Sequence, residues 1–163
     1  MIIGESSFIP PFVAKYLQGR SIISMSVSLT ARDVMDSKVL MVDAVASVSD
    51  AIKLMVSTET WSLIVEKGGL PLGVVTDRDV LRRCLAKGIA PEMMKTEEIM
   101  SSPIISVAPD EHLGKIMETM VQKDIRRVFV VENGKIVGRV TQTKMFDDSL
   151  DVLESLSSLR NQL

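Results

Sequence analysis

The sequence predicts a mixed α/β fold of the α+β type, built as two tandem β-α-β-β-α repeats, and three observations carry it. The chain repeats itself about 65 positions apart: Val34-Met35 is echoed by Ile99-Met100, Met55-Val56 by Met120-Val121, and Gly73-Val74-Val75-Thr76 by Gly138-Arg139-Val140-Thr141. The register runs without a gap from about residue 34 to 81 and from about 99 to 146, and self-similarity at a fixed period marks a repeat architecture. Within each copy, short apolar runs bounded by Gly or Asn turn signals alternate with apolar residues at helical spacing. The composition, 46% apolar but only 4% aromatic over 163 residues, fits an aliphatic, Met-rich core of one compact domain or two small ones. Two copies too small to bury full cores are expected to pack on each other, and clefts between such halves suit a small ligand.

In the first copy, Lys38 to Val42 reads as a short extended run. Ser47 and Asp50 in S-V-S-D form an approximate capping box, and Val48, Ala51, Ile52, Met55 and Val56 follow at helical spacing. Trp61 to Glu66 reads as a strand, Gly68-Gly69 as a turn, and Leu72 to Thr76 as the next strand. Asp77 to Lys87 returns to helix, with Gly88 as its C-terminal stop. The second copy has Ile104 to Val107 extended and a helix expected from Asp110, with Leu113, Ile116, Met117, Met120 and Val121 on its apolar face. Arg127 to Val131 and Ile136 to Thr141 flank Asn133-Gly134, a strong hairpin signal. A last helix begins near Gln142 and either runs on or breaks and resumes. Its leucines, Leu150, Leu153, Leu156, Leu159 and Leu163, form a stripe that needs a partner surface, its own core or another subunit. The expected organisation is therefore an N-terminal extension (1–28), a first repeat (29–90), a second repeat (93–150) and a C-terminal helical tail (151–163).

Several function classes are disfavoured by composition. A formal net charge of −2 provides no electrostatic footprint for nucleic acid or an anionic membrane. The N-terminal extension lacks a basic leader, and Glu5, Pro10, Pro11, Lys15 and Arg20 interrupt its apolar run, which argues against a signal peptide or membrane span. Pro10-Pro11 can open a short helix over Phe12, Tyr16 and Leu17. The lone Cys84 cannot form an intrachain disulfide, so a reducing cytoplasm is the simplest location. With one histidine, His112, and no Cys/His cluster, no metal site is expected, and no nucleophile–base pair or phosphate loop supports an enzyme.

The sharpest local sequence is Gly73 to Val80, G-V-V-T-D-R-D-V. Gly73 permits close backbone approach in a strand. Thr76, Arg78 and Asp79 stand where that strand hands over to a helix N-terminus, which favours anions. A carboxylate such as Asp79 can accept two hydrogen bonds from a ribose diol, and Thr76 and Arg78 offer donors to phosphate. The plainer alternative is that Thr76 and Asp79 only cap the helix.

Duplicated units carrying Met-Asp-Ser (35–37) and Met-Ser-Ser (100–102) at the front, and G-h-V-T at the back, resemble the cystathionine-β-synthase-type domain, the CBS domain. The phrases VMDSKVLMV, LPLGVVTDRDVL, IMSSPIISVAPD and IRRVFVVENGKIVG are similar to that family over residues 30 to 150. The resemblance implies a pseudo-twofold module whose clefts bind adenosine derivatives (AMP, ADP, ATP or S-adenosylmethionine), and dimerisation into a disc of four repeats.

Carried over residue by residue, the family's [ST]-x-x-[DN] signature falls on Thr76 and Asp79, beside Gly73 and Arg78. In the second repeat Thr141 is kept, but Lys144 replaces the acid, which puts that cleft in doubt as a nucleoside site. The resemblance also implies adenine contacts from Val39 to Val42 and from Trp61, Ser62 and Leu63, and phosphate contact from Arg126 or Arg127. For the arginine pair the alternative is a solvated or ion-paired role. For Trp61 it is packing at a domain or dimer contact, and for Cys84 a half-buried helix residue. The reading that results is a non-enzymatic regulatory module binding one adenine nucleotide, AMP first, as a cytoplasmic homodimer serving an unidentified regulated protein. Its rival is a ligand-free dimerisation scaffold that docks a partner.

Overall fold

The computed structural model describes residues 29–160. The short helix expected over Phe12, Tyr16 and Leu17 and the last leucine of the stripe, Leu163, lie outside the described residues.

The expected order is present twice. α1 (Ala31–Val34) leads into β1 (Met41–Asp43), α2 (Val48–Ser57), β2 (Ser62–Lys67), β3 (Leu70–Thr76) and α3 (Asp77–Asp79). α4 (Thr96–Ile99) leads into β4 (Ser106–Val107), α5 (Leu113–Gln122), β5 (Arg127–Glu132), β6 (Lys135–Thr141) and α6 (Gln142–Arg160). Each copy forms a three-stranded sheet, in the orders β1-β2-β3 and β4-β5-β6. β1 runs parallel to β2, with Val42 opposite Val65, and β2 is antiparallel to β3, with Ser62 opposite Thr76. Both hairpin turns need two successive left-handed residues, supplied by Gly68-Gly69 and Asn133-Gly134.

Helix boundaries follow local chemistry. The Ser47 hydroxyl accepts from Asp50 N at 3.1 Å and donates to the Asp50 carboxylate at 2.7 Å, which starts α2. In the second copy the helix begins at Leu113 rather than at Asp110. Thr30 and His112 form an antiparallel bridge and Leu113 N donates to Leu29 O at 3.0 Å, which holds the chain extended through His112. Residues 77–87 stay helical but change pitch: the α-turn Asp77–Asp79 widens into a π-helix over Val80–Cys84 and tightens to 3₁₀ over Leu85–Lys87. Gly88, at φ 70°, ends it. Cys84 is fully buried there rather than half-buried, its thiol 3.3 Å from Ile89 O.

The chain divides into two compact units that do not coincide with the two repeats. Among the described residues, one comprises Ser37–Ser106 with Ile136–Gly138; the other comprises 29–36, Val107–Lys135 and 139–160. Each lead-in helix therefore packs with the other repeat. In the first unit α4 is held by Thr96 N to Ala46 O at 2.9 Å and Glu97 N to Ala44 O at 3.0 Å. Its Ile99 joins a core of Val42, Val48, Met55, Leu63, Val65, Val75 and Val80. In the second unit α1 is held by Ala31 N to Glu111 O and Arg32 N to Pro109 O, both 2.8 Å.

α6 runs unbroken to Arg160. It buries Met145, Asp148 and Val152, whereas Phe146, Leu150 and Leu153 remain exposed. Leu150 and Leu153 thus lie off the helix's buried side. An open groove of about 600 Å³ in the same unit is lined by Leu113, Gly114, Met117, Val121 and Ser149, among others. Among the described residues no helix is long and apolar enough to cross a membrane.

Candidate functional site

β3 ends at Thr76, whose extended backbone (φ −126°) makes it the N-cap of the helical stretch that follows. Its hydroxyl lies 3.3 Å from Asp79 N, while Asp79 Oδ2 accepts from Thr76 N at 2.9 Å and pairs with Thr76 Oγ1 at 2.6 Å. The capping box that the sequence allows is therefore formed, and it occupies one carboxylate oxygen. Asp79 is 92% buried, at 8% exposure. Its other oxygen, Oδ1, has longer contacts, Arg83 Nε and Ser101 Oγ, each at 3.5 Å. A carboxylate oxygen carries two lone pairs, so Oδ1 keeps acceptor capacity for hydroxyl donors.

Ser101 is placed by backbone pairing. Val74 N donates to Ser101 O at 2.9 Å and Ser101 N to Val74 O at 2.8 Å, which lays the segment after α4 against β3. Gly73 makes that approach possible: a Cβ there would lie 2.7 Å from Ser101 O and 2.9 Å from Met100 Sδ. Arg83 completes the arrangement. Its guanidinium donates to Ile99 O at 2.8 Å and Met100 O at 2.7 Å while its Nε stands beside Asp79. One arginine thus ties the acid to the segment that carries Ser101.

The remaining candidates are placed unequally. Ser62, opposite Thr76, is almost fully buried, and its hydroxyl has no hydrogen-bond partner among the described residues. Trp61 next to it is 55% exposed, and its carbonyl accepts from Asp77 N at 3.4 Å. Arg78 is half-buried, between Asp77 and Asp79 in sequence. Val39 is partly buried and precedes β1. Val42 and Leu63 are core residues whose side chains pack inside the unit, so any adenine contact they make falls to their backbone. Arg126 and Arg127 belong to the other unit; Arg126 is exposed and its carbonyl accepts from Gln142 N at 3.0 Å. Thr76, Asp79, Gly73 and Ser62 are thus gathered in one unit.

Two participants escaped the sequence reading, Arg83 and Ser101. The Asp79–Arg83 spacing of four on a helix was a usable signal for an ion pair. Ser101 gave none, because its approach depends on a pairing between residues 27 apart in the chain, Val74 and Ser101.

The CBS domain family model matches residues 31–86 and 97–150. An uncharacterized protein of Methanocaldococcus jannaschii is 27% identical over 129 residues, 77% of this chain and 69% of that protein. Two further curated relatives are matched over 41% and 22% of their own lengths. The solved structure of an uncharacterized conserved protein from Pyrococcus horikoshii is similar at a TM-score of 0.71 and 28% identity, over 77% of this chain and 95% of that one. A hexameric CBS-CP12 protein from bloom-forming cyanobacteria is similar at a TM-score of 0.68 and 29% identity, over 72% of this chain and 69% of that one.

Proposed function

The chain belongs to the CBS domain family, and from that premise we propose that it is a regulatory module binding one adenine nucleotide through Thr76 and Asp79. CBS domains generally serve as regulatory modules that bind adenine nucleotides. The observation that supports this reading most directly is the half-used carboxylate of Asp79. Oδ2 is committed to the helix cap, and Oδ1 stands beside Ser101 Oγ with acceptor capacity left for a ribose hydroxyl. The buried, unpartnered Ser62 hydroxyl on the opposing strand adds a polar group that a ligand can satisfy. AMP leads because a single phosphate suits the few basic residues near the site; ADP, ATP and S-adenosylmethionine follow.

Calorimetric titration with these four compounds tests the reading on the parent protein and on Asp79→Asn. The amide keeps one acceptor for the cap while removing the charge and one acceptor. Saturable binding near one per chain, weakened about tenfold or more in the variant, is expected, since hydrogen bonds to a charged group contribute about 1.5–3 kcal/mol. Equal affinity in parent and variant rules out the ribose assignment.

A scaffold reading has its own observation. Met117 and Val121 on α5, which line the groove, and Phe146, Leu150 and Leu153 on α6 expose apolar side chains. A homodimer formed on this face is compatible with the nucleotide reading, and the cyanobacterial relative is hexameric. Sedimentation of the parent and of Val121→Glu measures it: a dimer that dissociates in the variant supports the face, and an unchanged sedimentation coefficient discards it.

A further inference from the structure

The two repeats can be compared at the same place, because about 65 positions separate each residue from its counterpart. Thr141 plays the part of Thr76: its hydroxyl accepts from Lys144 N at 3.2 Å. Asp36 and Arg139 exchange both backbone hydrogen bonds, at 2.9 Å each, just as Ser101 and Val74 do in the other unit. Around this shared backbone the side chains are inverted. Asp79 with Arg83 four residues later becomes Lys144 with Asp148 four residues later, and Lys144 Nζ is hydrogen-bonded to Asp148 Oδ1. The neutral pair Ser101 and Val74 becomes Asp36 and Arg139, joined by an ion pair of 3.0 Å in which the arginine side chain is only 12% exposed.

We infer that the second repeat is a self-occupied half: its own side chains fill the place a nucleotide takes in the first, so the chain binds one ligand. Where repeat 1 offers a carboxylate oxygen with spare acceptor capacity, repeat 2 offers an ammonium already neutralised by a buried acid. Where repeat 1 offers the small hydroxyl of Ser101, repeat 2 holds an arginine–aspartate pair. Entry of a ribose there requires breaking ion pairs that are half-buried or better, which costs desolvated charge on both partners. The pair on α6 is coupled, so replacing Lys144 alone sets a new acid against Asp148. The inference rests on the nucleotide reading for what repeat 1 binds, and goes beyond it in assigning the asymmetry to four named side chains.

The test is a graft of repeat 1 chemistry onto repeat 2, D36S/R139V/K144D/D148R, titrated with AMP alongside the parent and K144D. By the 65-residue register, Val34 and Met35 are the counterparts of Ile99 and Met100, whose carbonyls bond Arg83. About one AMP per chain is expected for the parent and for K144D, and about two for the graft. Binding at the first site with unchanged affinity certifies that the graft is folded. One AMP per chain in such a graft overturns the inference and leaves the nucleotide reading standing. Two per chain in K144D alone also overturns it, because the Asp36–Arg139 pair and the acid at 148 would then not keep the place filled. Binding by none of the three proteins overturns the nucleotide reading, and this inference with it. If the graft does not fold, the swap K144D/D148R keeps an ion pair on the helix and carries the test. A second, weaker AMP site is expected in it, and one site only, up to millimolar AMP, overturns the inference.

Discussion

Replacing Gly73 by alanine should loosen the candidate site through packing alone, with no change of charge or hydrogen-bonding groups. The new methyl group would stand 2.7 Å from Ser101 O and 2.9 Å from Met100 Sδ. The thioether can swing away, but the carbonyl cannot move freely, because it accepts from Val74 N at 2.9 Å. Overpacking of this kind costs about 1–3 kcal/mol. If the strain is relieved by parting the Val74–Ser101 bridge, each backbone hydrogen bond lost adds about 1 kcal/mol. A destabilisation of about 2–4 kcal/mol is therefore expected from urea unfolding, together with weaker AMP binding as Ser101 retreats from Asp79. Gly114→Ala is the matched control: a Cβ there meets nothing within 4 Å. It lies inside α5, where alanine is favoured over glycine by up to about 1 kcal/mol. A Gly73→Ala protein within about 0.5 kcal/mol of the parent would refute the close approach of residues 100–101 to β3.

Two further changes probe the elements that hold the site in place. Arg83→Gln removes the guanidinium that bonds the carbonyls of Ile99 and Met100. With the arginine side chain 43% exposed, solvent screening reduces the loss to about 1–2 kcal/mol, read as a lower urea midpoint. A midpoint equal to the parent's contradicts the tether. Asp50 tests the cap of α2 through pH: the Ser47 hydroxyl, helped by Lys53, holds its carboxyl below the ordinary 3.8. A carboxyl with a folded pKa below its unfolded one stabilises above the unfolded value, and that contribution disappears as pH falls through the folded value. Ser47→Ala should lower the urea midpoint near neutrality and soften its fall on acidification; acid limbs that differ only by a constant offset would disprove the linkage.

Much of this protein was legible from near neighbours in the chain. Asn133-Gly134 and Gly68-Gly69 announce their hairpins because only residues tolerant of positive φ close such turns. Ser47 with Asp50 and Thr76 with Asp79 announce helix starts because the cap is made within one turn. The 65-residue period announces two equal copies, since each strand and helix recurs in register. Other features depend on which distant segments meet. Asp110 reads as a helix start, yet the Thr30–His112 bridge delays the helix to Leu113. Resemblance implies ligand contacts from Val42 and Leu63, and only the fold shows that their side chains turn into the core, which leaves their backbone for such contacts.

By itself, then, the sequence determined the repeated order of elements, their turns and caps, and the placing of an acid one turn after Thr76. All of these are set by interactions within a few residues. Tertiary structure alone decided that each lead-in helix joins the other repeat's unit. It also brought Ser101 to Asp79 over Gly73, and filled the matching place in repeat 2 with the Asp36–Arg139 ion pair. Those outcomes require residues 22 to 103 positions apart to meet. Local periodicity carries no record of such meetings; packing and hydrogen bonding between segments select them.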